Sequence, residues 1–189
     1  MEYERQHGTD PFPGLAMRKV DMAAYNAARP PVDKRQLHWY SVLGAMPAAA
    51  DEPNLHACAH LFASDRNSLF PVPGFLGVGD NYSAIATLSH TVIFHSEGDE
   101  LAMTEGDGSV SWFCQEFQVE RVGHGRAFVT SKIWREDGLH IASQNQDGLL
   151  RMRPAIENLL GDVLTNGLLK KKLMTAKDIF GYPTKKEKL

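Results

Sequence analysis

Three groups of polar side chains interrupt otherwise apolar stretches of this sequence. They are Asp65, the run Thr87, Ser89, His90 and Thr91, and the amides Gln144, Asn145 and Gln146. A carboxylate can take a proton, and hydroxyls and amides can hold a small polar molecule in one orientation. The pattern does not suggest a nucleophile–His–acid triad, since no Ser sits in a Gly-x-Ser-x-Gly elbow. Buried amides and hydroxyls must be hydrogen-bonded. From pattern alone, the simplest account is that these groups satisfy one another or turn to water.

Other residues carry weaker chemistry. His56 and His60 are one helical turn apart, a spacing that two metal ligands could use. No acid accompanies them on that face, so solvated or capping histidines are expected and no metal. Cys58, among alanines, reads as inert core rather than as an acyl acceptor. The acidic stretch 96–109 does not place its acids as a calcium loop would. Lys170–Lys172 and Lys185–Lys186 read as solvated charge.

Residues 54–67, NLHACAHLFASDRN, are expected to form the helix that positions Asp65. Leu55, Cys58, Ala59, Phe62 and Ala63 recur at helical spacing and predict an apolar stripe with Asp65 at its edge. Three of the five are Ala or Cys, so a neighbour can pack closely. Asp51 or Asn54 is expected to cap this helix. A carboxylate at the margin of a buried stripe is costly to desolvate unless paired.

Strands are expected over residues 35–43, 82–95, 112–122, 126–135 and 140–152. Strict alternation in the second puts Ala84, Ala86, Leu88, Val92 and Phe94 on one face. The opposite face then carries Ile85, Thr87, Ser89, Thr91 and Ile93. Asp137-Gly138 reads as a two-residue hairpin turn. One apolar helix followed by a run of antiparallel strands predicts an α+β domain whose sheet wraps the helix. Residues 1–34 are expected to be an extended arm or linker, with at most a turn of helix near 22–26. Residues 35–153 form the domain, and 154–189 a helix (155–173) and a Lys-rich tail.

The chain has 189 residues, enough for one domain with a real core. A net charge of −3 gives no global electrostatic case for nucleic acid. Two cysteines argue against a disulfide framework and for a reducing compartment. No run approaches a membrane span, and the N-terminus lacks a signal peptide's layout. An intracellular protein is expected.

The blocks LHACAHLFASD, IATLSHTVIFH and DGLHIASQNQDGLLR, in that order and spacing, resemble the acyl-CoA thioesterase II family. HWY at His38–Tyr40 and RNSL after Asp65 are similar to its fungal members. The resemblance covers about residues 18–153. It implies a hotdog fold, in which an antiparallel sheet wraps one long helix, here 54–67. It further implies that Asp65, Thr87 and Gln146 hold and polarise the water that attacks a thioester carbonyl. Ser89 and Thr91 compete with Thr87 in the same strand, and the family usually carries an acid where this chain has Ser89. Ser89, His90 and Gln144 are expected among the substrate contacts, and no cofactor is implied.

The implied chemistry suits those residue types. A thiol of pKa about 8.5 leaves without much help from an acid. The work lies in aiming a water and stabilising the oxyanion. Asp65 can accept the water's proton while Thr87 and Gln146 orient it. The family normally joins two hotdog units in one chain, and this sequence matches the second. A homodimer, or pairing with another hotdog unit, is therefore expected. The alternative is a non-catalytic hotdog that binds acyl-CoA or completes a partner's pocket. A hydratase, using His90 or His95 with an acid, is the third reading. Glu187-Lys188-Leu189 matches a peroxisomal Ser-Lys-Leu ending only weakly; the family association keeps a peroxisomal address open, and a cytoplasmic one is otherwise expected.

Overall fold

The computed structural model describes residues 13–66 and 68–153. The helix expected over 155–173, the Lys-rich tail and the C-terminal tripeptide lie outside these residues. Six strands, β1 (Leu15–Lys19), β2 (Gln36–Val42), β3 (Tyr82–Phe94), β4 (Phe113–Gly123), β5 (Arg126–Arg135) and β6 (His140–Met152), are present. They form one antiparallel sheet in the order β1-β2-β4-β5-β6-β3. Three α-helices, α1 (Ala23–Asn26), α2 (Pro53–Asp65) and α3 (Pro71–Phe75), and two short 3-10 helices, Pro31–Asp33 and Gly98–Leu101, accompany the strands. The expected α+β hotdog fold is found, with α2 as the helix inside the sheet's curve. Part of the stretch read as an arm is β1, which pairs with β2 from Leu15↔Val42 to Lys19↔His38.

The core lies between α2 and the sheet. Ala63 packs among Tyr40, Met103, Phe113, Ile133, Ile141 and Ala142, all essentially inaccessible to water. Each large apolar side chain so buried contributes about 1.5–3 kcal/mol. A second cluster joins Leu69, Val72 and Phe75 to Phe117, Val119, Val129 and Leu150.

Helix α2 is turned relative to the expected stripe. Its buried residues are His56, His60, Ala63 and Ser64, whereas Leu55, Leu61, Phe62 and Cys58 are exposed. The histidines are neither solvated nor capping. His56 Nε2–H donates to Pro47 O (2.9 Å) and its Nδ1 accepts from the Met103 amide (2.9 Å). His60 Nε2–H donates to Leu101 O (3.1 Å), so its Nδ1 accepts from the Tyr40 hydroxyl (2.7 Å). With both ring nitrogens satisfied, an imidazole can be buried at little cost. Neither Asp51 nor Asn54 caps the helix: Glu52 stands at the N-cap without a side-chain bond, and Pro53 presets the first turn.

Two turns decide the register. His124 (φ 52°) and Gly125 (φ 70°) make the two-residue turn between β4 and β5. The β5–β6 turn is longer than expected: the Gly138 amide donates to Arg135 O and the Arg135 amide to Leu139 O. Gly138 at φ 90° is therefore the left-handed residue of a three-residue loop.

Strand β3 departs from strict alternation. Its ladder with β6 runs Thr87↔Gly148 and then Ser89↔Asp147, leaving Leu88 as an extra residue in a bulge. Odd-numbered Ile85 and Thr87 face α2 before the bulge, and even-numbered His90, Val92 and Phe94 face it afterwards. The expected grouping of Ala84, Ala86 and Leu88 with Val92 and Phe94 is thereby corrected.

Gly148, opposite Thr87, is pressed by buried Leu69. A Cβ there would meet Leu69 Cδ1 and, at 2.7 Å, Cδ2. Gly148→Ala is expected to cost about 1–3 kcal/mol by overpacking, read as a lower urea midpoint. An unchanged midpoint would show that Leu69 yields freely.

Candidate active site

Three elements meet where α2 ends. Asp65 is its last helical residue, since Arg66 turns to extended backbone (ψ 128°). Helix carbonyls present the negative end of the dipole there, an unfavourable place for a carboxylate without donors. Two donors are supplied. Gln146 Nε2 on β6 donates to Asp65 Oδ1 (2.6 Å) and to Thr87 Oγ1 (2.6 Å), and Thr87 Oγ1 on β3 donates to the same Oδ1 (3.1 Å). The three residues expected to hold a water are thus one hydrogen-bonded triangle. Gln146 is 1% exposed, whereas Asp65 and Thr87 open to solvent.

The triangle borders an open groove of about 570 Å³ between α2 and β3. Leu61, Phe62, Leu69, Phe70, Ile85 and Ala86 give the groove an apolar lining, and Arg66 adds a cation. Such a shape accepts an apolar chain with a polar group at one end.

The other expected contacts are placed differently. His90 faces α2, but its Nε2 meets Ser64 Oγ (3.1 Å). That hydroxyl gives its own proton to Leu61 O (2.8 Å), so His90 is the donor. Ser89 is in register with Asp147, on the face opposite Gln146, because the bulge shifts the strand's phase. Ser89 therefore points away from Asp65. Gln144 is 1% exposed and lies one layer below Gln146, to whose Oε1 its Nε2 donates (2.9 Å). Neither histidine of the hydratase reading is bonded to an acid here: His90 contacts Ser64, and His95 Nε2 meets Ser143 Oγ (2.9 Å).

Sequence reasoning missed two residues beneath the triangle. Gln115 on β4 and Ser131 on β5 are 1% and 4% exposed, and both bond to Gln144 Oε1. The signal was present, since each occupies an inward position between apolar neighbours: Phe113 and Phe117 for one, Val129 and Ile133 for the other.

Burial, then the nearby Glu116 charge, pushes the Cys114 thiol up to about 11, so it is no nucleophile. Among the described residues no group of three His, Cys, Asp or Glu could hold a metal ion. None of the described helices is long and apolar enough to cross a membrane.

Known proteins agree with this architecture. Similar folds include an acyl-CoA thioesterase II of Mycobacterium marinum, 25% identical with a TM-score of 0.57, over 77% of this chain and 54% of that one. A TesB protein of Mycobacterium avium subspecies paratuberculosis is 16% identical, TM-score 0.54, over 73% of this chain and 48% of that one. A Syntrophus aciditrophicus protein described as a thioesterase is 13% identical, TM-score 0.55, over 75% and 90%. The chain therefore spans about half the length of the two mycobacterial proteins. No curated protein matches it in sequence. The family model described as the acyl-CoA thioesterase C-terminal domain matches residues 2–150, and the chain belongs to that family.

Proposed function

We propose that the chain hydrolyses acyl-CoA to a free fatty acid and coenzyme A, using a water held by Asp65, Thr87 and Gln146. The observation that carries this reading is the Asp65–Thr87–Gln146 triangle at the edge of an apolar groove. Both donors converge on Asp65 Oδ1, and the link from Thr87 is the longest, at 3.1 Å. A water entering there accepts from Thr87 and donates to Asp65, which leaves a lone pair for the carbonyl carbon. Asp65 takes the water's proton as the C–O bond forms. The carbon–sulfur bond then breaks, and the proton passes to the departing thiolate. The acyl chain lies along Leu61, Phe62, Leu69 and Ile85. Thiol release from medium- and long-chain acyl-CoA tests the reading. Loss of an enoyl chromophore without thiol would indicate hydration instead. Acyl-CoA bound without turnover would leave the non-catalytic alternative.

The site also calls for a second hotdog unit. Strand β3 is an edge of the sheet, thirteen residues long, with Leu88 and Ile93 about half exposed. Beside it α2 exposes Leu55, Leu61 and Phe62. A long, apolar edge is a liability unless something covers it. We assign that cover to a second copy, whose β3 would continue the sheet and close the groove. Sedimentation at micromolar concentration is expected to give twice the chain mass, and Phe62→Glu to shift it toward one. A wild type at monomer mass overturns the pairing.

A further inference from the structure

Below the triangle, a line of buried amides crosses the sheet and returns to the helix it started from. Gln115 Nε2 reaches Ser64 O (3.0 Å), Ser131 Oγ (3.0 Å) and Gln144 Oε1 (3.0 Å). Ser131 Oγ donates to that same Gln144 Oε1. Gln144 Nε2 donates to Gln146 Oε1 (2.9 Å), and Gln146 Nε2 to Asp65 Oδ1 (2.6 Å). The two ends of the line are thus Ser64 and Asp65, consecutive residues of α2.

Both ends are obligatory acceptors, a backbone carbonyl and a carboxylate. This fixes every amide between them. Gln115 must turn its NH₂ to the Ser64 carbonyl, and that group also serves Gln144 Oε1. Gln144 is then bound to present its NH₂ to Gln146 Oε1. Gln146 can offer only N–H groups to Asp65 and Thr87, two hydrogens for two acceptors. If Gln146 flipped, its oxygen would face the Asp65 carboxylate and its NH₂ would face the Gln144 donor. In a buried network each mismatch is costly.

We propose that Gln144, held by Gln115 and Ser131, is a positioning residue that locks the Gln146 amide with its donors toward Asp65 and Thr87, the two groups that hold the reacting water. The proposal rests on the thioesterase reading for its effect on rate, though the amide orientation itself is independent of that reading. Gln144→Glu keeps the shape and the acceptors and removes the donor to Gln146, whereas Gln144→Met removes both. Ser131→Ala is the milder variant should either of these fail to fold.

The test has two arms, both on the full chain. In the first, acyl-CoA thiol release is followed for all variants, with folding checked by circular dichroism. We expect kcat to fall about 10- to 100-fold for the Gln144 variants, the scale of a misplaced catalytic group, with KM nearly unchanged. Ser131→Ala is expected to lose a few-fold of kcat. Folded Gln144 variants with wild-type kcat overturn the positioning role. The second arm does not need turnover. The Gln146 side-chain NH₂ resonances should exchange slowly with solvent and show a nuclear Overhauser contact to the Thr87 methyl. That contact should weaken, and exchange quicken, in the Gln144 variants and less so in Ser131→Ala. Unchanged Gln146 signals overturn the proposal whether or not the chain is active. A wild type without turnover, but with the signals perturbed as expected, removes the thioesterase reading and retains the locked amide.

Discussion

Asp65→Asn is expected to lower kcat for thiol release from acyl-CoA by about 10²–10⁴-fold, the usual worth of a general base. The substitution is isosteric, so packing at the end of α2 should be kept. An asparagine can still place its carbonyl oxygen where Oδ1 now receives Thr87 and Gln146. It cannot accept the water's proton, which must then go to bulk solvent. The apolar groove is untouched, so KM should change by less than kcat. Equal rates for wild type and variant would remove Asp65 from the mechanism. Parallel measurement of the unfolding midpoint separates lost chemistry from lost structure.

Acidification is expected to weaken the fold through His60. Burial holds the His60 imidazole down at about 4 from its usual 6.5, only partly offset by its bond to Leu101 O. Its two ring nitrogens are committed to Leu101 O and the Tyr40 hydroxyl, and its ring stands edge-on to Phe113 at 4.4 Å. The unfolded chain therefore takes up the proton first. Stability is complete above pH 6.5 and declines as the pH falls from there to about 4, below which this loss is complete. A shift of this size corresponds to about 3 kcal/mol, a large part of a typical 5–15 kcal/mol. Urea midpoints taken from pH 7.5 to 4, at fixed protein concentration, should show the decline. His60→Gln, less stable overall, should flatten it. A wild-type midpoint constant from pH 7 to 4.5 would contradict this role for His60.

Much of the architecture was legible because strong local signals agreed with the global fold. The alternating runs gave β4, β5 and β6 within a residue or two, and Gln36–Val42 was expected from its aromatic and β-branched content. The helix was placed correctly, but its buried face was not. Hydrophobicity favoured Leu55 and Phe62, while the core took His56 and His60, whose polarity is cancelled by Pro47, Met103, Leu101 and Tyr40. Those partners are distant in sequence, so no local pattern could reveal them. Leu15–Lys19 was illegible for a related reason: five residues become a strand only against β2. Asp65, Thr87 and Gln146 were singled out by a family resemblance rather than by spacing, and the fold brings them within hydrogen-bonding distance. Gln115 and Ser131 could have been noticed as polar residues in inward positions. Their link to Gln144 required the register of three strands.

The bulge at Leu88 has a consequence of a different kind. A strand encodes its two faces by parity, and Leu88, like Ser83 at the strand's start, changes which parity points inward. Between Ser83 and Leu88 the odd positions meet the core side, and after Leu88 the even ones do. Thr87 and His90 share a face only because the count between them is broken there. The same residues with the surplus position moved past His90 would have identical composition, hydropathy and strand propensity. They would nonetheless carry His90 to the outer face while leaving Thr87 beside Asp65. Where that surplus residue falls is positional information, which residue preferences alone do not carry.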